Sequence, residues 1–223
     1  MNKQPAVQGL VVDSLNQFYG DSHILRNLFL EVPPNGCTCI MGRNGVGKTT
    51  LLKTIMGLIE KHSGSIRYGD TELSTIKAEE RASNGLGYVP QGRQIFPLMT
   101  VEENLSTGLR SSADRISDDI YETFPVLFDM RRRRGGDLSG GQQQQLAIGR
   151  ALVLHPGLLI LDEPTEGIQP NIVREIGDII RMLVEQRGIS ILLVEQKLPF
   201  ARRVADTFTI MVRGSNVAEG GVG

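Results

Sequence analysis

The sequence predicts an α/β fold carrying a helical insert, and three observations point there. A glycine-rich loop, Gly42-Arg43-Asn44-Gly45-Val46-Gly47-Lys48-Thr49, separates a short apolar strand from an apolar-periodic helix. A continuous apolar run, Leu158 to Leu161, ends in Asp162 and Glu163, as a parallel strand buried on both faces does. Between these, from Gly92 to about Leu154, helical stretches replace the strand pattern.

The chain has 223 residues, 40% hydrophobic and 22% charged, enough for one good core or two small ones. A formal net charge of -1 gives no basic excess that would argue for nucleic acid. No apolar stretch approaches the ~20 residues of a membrane span, and the N-terminus lacks a signal peptide's apolar core. The two cysteines, Cys37 and Cys39, lie two apart on one strand and face the same side, which is poor disulfide geometry. They read as small core residues; Cys-x-Cys can bind metal, but no third ligand joins them nearby.

In chain order, residues 7 to 12 and 28 to 32 read as paired strands, with Phe18-Tyr19-Gly20 between them. An aromatic placed there is either a strand-edge core residue or a stacking surface for a base. Pro33-Pro34-Asn35-Gly36 turns the chain into strand 38–41. The loop that follows matches G-x-x-x-x-G-K-[ST], the phosphate-binding P-loop. Its glycines let backbone N–H groups converge on one anion, and the next helix adds the positive end of its dipole. Lys48 would reach the β- and γ-phosphates and Thr49 would ligate Mg²⁺.

Residues 65–68 read as a strand and 75–83 as a short polar helix. Leu86 to Gln91 runs from strand to loop, where Pro90 stops the strand and presents Gln91. Thr100 followed by Glu103 is a capping-box helix start. Residues 115–129 are helical in period, broken at Pro125, and Arg131 to Arg134 reads as a solvated helix end. Ser139-Gly140-Gly141 opens the helix running to Leu154; it is a second backbone anion site or simply a serine cap.

Asp162 and Glu163 fall at a strand's carboxyl end, where open α/β sheets place ligands. Asp162 would hold Mg²⁺ through its water shell, and Glu163 would orient or deprotonate attacking water. Residues 172–186 form an amphipathic helix, 190–194 the next buried strand, 198–205 a helix and 207–212 a strand. A final edge strand at 217–219 follows the turn Gly214-Ser215-Asn216.

Together these motifs resemble an ABC-transporter ATPase subunit, over nearly the whole chain. The P-loop, Gln91, the Leu138-Ser139-Gly140-Gly141-Gln142 signature and the 158–163 strand occur in that family's order. The resemblance implies a RecA-like P-loop NTPase core (1–92 and 155–223), with an N-terminal antiparallel β subdomain. It places an α-helical signature subdomain at 93–154 within one ABC ATPase domain, 1–223. It implies ATP and Mg²⁺ as cofactors. Nucleotide contacts fall on Tyr19, on Gly42 to Thr49 with Thr50, and on Ser139, Gly140, Gly141 and Gln142. Metal contacts fall on Thr49, Gln91 and Asp162, and catalytic roles on Glu163, Gln91 and Gln196.

Implied partners are transmembrane permease subunits, a sibling ATPase subunit in a head-to-tail heterodimer, with a homodimer possible for the isolated chain, and, indirectly, an extracytoplasmic binding protein. That places the chain on the cytoplasmic face of the membrane. The strings at 88–97, 141–151 and 193–196 resemble the branched-chain amino-acid importer group. Within that group, Leu161 to Pro170 is most similar to the second ATPase subunit of urea importers. Two positions depart from the general pattern: Gln196 stands where the switch histidine is usual, and Gln169 where the D-loop aspartate is usual. An amide can hydrogen-bond a phosphate oxygen but cannot become a cation near neutral pH.

Overall fold

The computed structural model describes residues 8–109, 111 and 113–222. β1 (Leu10–Tyr19) and β2 (Ser22–Val32) form an antiparallel hairpin. Both strands are longer than their apolar alternation suggests, and residue 7 lies outside the described residues. Register shifts at Val12/Leu15, Leu15/Gln17 and Gln17/Phe18 interrupt the two-residue period, so the sequence pattern fades while the pairing continues. Tyr19 therefore ends a strand rather than sitting in a loop.

β3 (Cys37–Met41) leads through the P-loop into α1 (Lys48–Ile55). β4 (Ser63–Tyr68) and the short β5 (Thr71–Glu72) complete a four-stranded sheet of order β2-β1-β4-β5. The helix expected at 75–83 is instead a 3₁₀ turn at Leu73–Thr75 and a single turn, α2 (Ala78–Arg81). The segment has few apolar side chains to bury. Its buried Arg81 turns inward and donates to the Thr54 carbonyl at 3.1 Å, closing the C-terminal end of α1.

β6 (Leu86–Val89) precedes the helical stretch, which holds α3 (Val101–Ser106), α4 (Asp118–Thr123), α5 (Pro125–Asp129) and α6 (Gly140–Leu152). The capping box at Thr100 and Glu103 forms, and Pro125 opens α5 at a position that needs no N–H donor. Of the arginine run, Arg132 to Arg134 are exposed and Arg131 lies 4.3 Å over the Phe128 ring.

β7 (Leu158–Asp162), α7 (Pro170–Glu185), β8 (Ser190–Val194), α8 (Leu198–Val204), β9 (Thr207–Val212) and β10 (Ser215–Gly221) follow. They build a six-stranded sheet of order β10-β9-β3-β8-β7-β6, in which every pair is parallel except β10–β9. β10 begins at Ser215, two residues before its expected start. Arg213 and Gly214 both have positive φ (49° and 83°), and a two-residue turn of that shape matches strand twist.

The continuous apolar run at 158–161 feeds two cores. Leu158 and Ile160 pack towards α1 and the antiparallel sheet; Leu159 and Leu161 pack towards α6, α7 and α8. Cys37 and Cys39 enter the second core as free, fully buried thiols. That burial matches the small-core reading of the pair. No helix among the described residues is long and apolar enough to cross a membrane.

Candidate functional site

Four parallel strands end on one edge, and each delivers a functional segment there. The P-loop follows β3, Gln91 follows β6, Glu163 follows β7, and Glu195 with Gln196 follows β8. Together with Tyr19 they line one open cavity of about 790 Å³. Asn44, Gly45, Gly47, Lys48, Thr49 and Thr50 form one wall; Gln91, Glu163 and Gln196 form another. Tyr19, half exposed, stands at the rim. Gly42, Arg43 and Val46, the remaining residues of the expected loop, do not line the cavity.

The loop is built to receive an anion. Gly47 sits before α1 at φ 109°, where a side chain would be strained and would press on Leu25 at 3.1 Å. No side chain caps α1, and its first turn holds no acid, so its N-terminal amides are uncommitted. Lys48 is buried and curls back over the loop, donating to the Gly42 and Arg43 carbonyls at 2.8 and 3.0 Å.

A metal-type donor set lies beneath. The Thr49 hydroxyl donates to Asp162 Oδ2 at 3.1 Å, while Asp162 Oδ1 is buried with no partner. Burial pushes the Asp162 carboxyl up and the Thr49 hydrogen bond pulls it back; the nearby Glu163 adds to the rise. A desolvated, half-satisfied carboxylate beside a hydroxyl is a hard-oxygen donor pair of the kind that suits a small divalent cation.

Glu163 is the hub. Its backbone is left-handed at φ 50°, which costs on the order of 1–3 kcal/mol in a residue that has a Cβ. The Glu163 N–H holds Val194 O at 3.0 Å. Gln196 Nε2 donates to Glu163 Oε1 and to Asn44 Oδ1, each at 2.6 Å. Lys48 Nζ lies 3.8 Å from Glu163 Oε1, and Gln91 Nε2 lies 3.4 Å from Oε2.

Sequence reasoning missed two carboxylates here. Glu195 is buried and accepts the Gln196 and Lys197 N–H groups at 2.7 and 2.9 Å and the Thr165 hydroxyl, which fixes the turn carrying Gln196. Its signal was available: like Asp162, it is an acid closing a buried parallel strand. Glu166 also lines the cavity, and its Oε2 accepts from Gln91 Nε2 at 2.9 Å.

The signature residues do not join this cavity. Ser139 and Gln142 line a separate one of about 550 Å³ with Ile172 and Glu175. Ser139 Oγ accepts the Gln142 N–H at 3.3 Å and Ser139 N donates to Gln142 Oε1 at 2.9 Å, a complete capping box.

Comparison with known proteins identifies the family and the fold. The family model described as ABC transporter matches residues 25–166. The chain is 38% identical to the high-affinity branched-chain amino acid transport ATP-binding protein BraG of Pseudomonas aeruginosa, over 92% of this chain and 89% of that one. It is 37% identical to the probable branched-chain amino acid transport ATP-binding protein LivF of Archaeoglobus fulgidus, over 90% and 86%. Among solved structures, a nucleotide-free ATP-binding cassette from an ABC transporter superposes with a TM-score of 0.85 at 26% identity, covering 96% of this chain and 91% of that one. With its P-loop, paired carboxylates and strand order in that arrangement, the chain belongs to the ABC transporter family and is built as its ATP-binding cassette.

Proposed function

We propose that this chain binds and hydrolyses ATP to drive an ABC importer. One observation carries the reading: Lys48, Gln91, Glu163 and Gln196, from four separate segments, converge on one cavity around a single carboxylate. ATP supplies the phosphoryl group that passes to water, and Mg²⁺ neutralises phosphate charge. Lys48 and the uncommitted amides of α1 bind the phosphates. Thr49 and Asp162 hold the metal, with Gln91 beside them, and Tyr19 stacks on the base. Glu163 takes the proton from the attacking water, and Gln196 fixes the Glu163 carboxylate for that task. The acid surplus supports a divalent cation. Glu163, Glu166 and Glu195 line the cavity against Lys48 and Lys197, and would repel a bare polyphosphate.

The cavity holds no signature residue, so the site is completed by a second cassette. Ser139, Gly140, Gly141 and Gln142 of a sibling subunit cap the γ-phosphate in a head-to-tail dimer. Closure moves the helical part, 93–154, against the core and pushes on permease subunits at the cytoplasmic face of the membrane, while an extracytoplasmic binding protein selects the cargo. The string Leu161 to Pro170 supports urea as that cargo. The names of BraG and LivF support a second reading, branched-chain amino acids.

Uptake of labelled urea and labelled leucine, measured in the host with and without this gene at low cargo concentration, tests both. Loss of urea uptake alone is the expected result. Loss of leucine uptake moves the cargo, and loss of neither removes the importer reading with these cargoes.

A further inference from the structure

Gln91 would face the metal and the attacking water, yet a long amide side chain on an exposed loop has many rotamers to search. The structure limits that search at one atom. Gln91 Nε2 lies 2.9 Å from Glu166 Oε2 and 3.4 Å from Glu163 Oε2. Carboxylates only accept, so the amide must turn its NH₂ towards both of them. Its two N–H groups are thereby spent, and its Oε1 has no hydrogen-bond partner among the described residues. Oε1 is the only atom of that amide able to ligate a cation or accept a hydrogen bond from water.

The other end of the contact is braced as well. Arg93 Nη2 donates to the Glu166 carbonyl at 3.2 Å, and Arg93 Nη1 donates to Gln143 Oε1 on α6 at 3.2 Å. Two residues after Gln91, the same loop therefore grips Glu166 a second time, at its backbone carbonyl.

We infer that Glu166 is a positioning residue: it accepts one Nε2–H of Gln91 and so sets which face of that amide, its oxygen, meets the metal and the water. The inference rests on the ATPase reading for its consequence. The contact itself exists without nucleotide and is tested without it.

In the full chain, free of metal and nucleotide, the ¹⁵N side-chain amide of Gln91 is assigned by its loss in Gln91→Ala. Its exchange with solvent is then compared in wild type, Glu166→Ala and Glu166→Gln. A glutamine at 166 still offers a carbonyl acceptor without the charge. Exchange is expected to quicken about tenfold in Glu166→Ala and to stay near wild type in Glu166→Gln, as losing one hydrogen bond to a charged group implies. In parallel, ATP turnover is titrated against Mg²⁺. Glu166→Ala should need about tenfold more Mg²⁺ for half-maximal turnover, with Glu166→Gln restoring most of that.

An amide that exchanges equally fast in all three proteins overturns the inference. So does a Glu166→Gln chain as impaired in Mg²⁺ dependence as Glu166→Ala, because charge rather than orientation would then be acting. Protected exchange in a wild-type chain that shows no ATP turnover leaves the contact standing and overturns the ATPase reading instead.

Discussion

Two helix N-termini in this molecule carry glycine-rich sequences, and they are finished differently. α1 begins after a left-handed Gly47 with no side-chain cap and no acid in its first turn. α6 begins after Ser139 with a complete capping box. At α1 the amides are open towards a cavity holding Lys48 and Glu163; at α6 the cap is satisfied within the chain. A serine cap is worth about 1 kcal/mol, enough to hold a helix start in shape but little enough to be exchanged for a charged ligand. The first site is therefore equipped to bind alone. The second keeps its geometry alone and acts, on the proposed reading, only against a partner's nucleotide.

That contrast can be broken from its strongest side first. Replacing Glu163 by Gln keeps the shape at the hub but removes the base. Turnover should fall by at least ~10²-fold while ATP binding persists, and a steady-state phosphate-release assay checks it. Unchanged turnover would remove Glu163 from catalysis. Lys48→Ala strips the open site of its one buried ammonium. Monomer affinity for a fluorescent nucleotide should drop by roughly 10–100-fold, by analogy with other charge-assisted contacts. Normal binding would end the P-loop assignment.

The capped site should respond in another assay. A Cβ on Gly141 would meet Ile172 Cγ2 at 2.7 Å, so Gly141→Ala forces α6 and α7 apart locally. It should leave monomer binding intact and weaken ATP-dependent dimerisation by about tenfold, read by sedimentation. The smallest effect is expected from Ser139→Ala. Losing the cap should cost about 1 kcal/mol in chemical denaturation, with a few-fold loss of dimerisation and normal monomer affinity. If either α6 variant loses monomer binding as Lys48→Ala does, the two sites are not distinct.

Legibility followed distance along the chain. The P-loop and the 158–163 run could be read because each is contiguous: a strand, a turn and a charged end within a few residues. Arg81 could not be read as the brace for the end of α1, because it lies 27 residues from the carbonyl of Thr54 that it meets. Glu163 is 72 residues from Gln91 and 33 from Gln196, and only the family resemblance, not periodicity, placed those amides beside it. Glu166 and Glu195 escaped for a related reason. A carboxylate after a strand is ordinary in a turn; what distinguishes these two is the amides they hold, and those belong to other segments or to a folded turn. The long hairpin was obscured by its own register shifts, which hide a strand from a pattern of period two.

By itself the sequence determined the local pieces. Glycines set the loop that can curl around an anion, alternating and continuous apolar runs set the strands, and serine, threonine and proline set where helices begin. These depend on backbone sterics and neighbouring side chains, which a few residues contain. Only the tertiary structure decided that the ends of β3, β8, β7 and β6 lie side by side in that order. Parallel crossovers bring the carboxyl ends of distant strands to one edge, and there two lysines, three side-chain amides and four carboxylates acquire one another as neighbours.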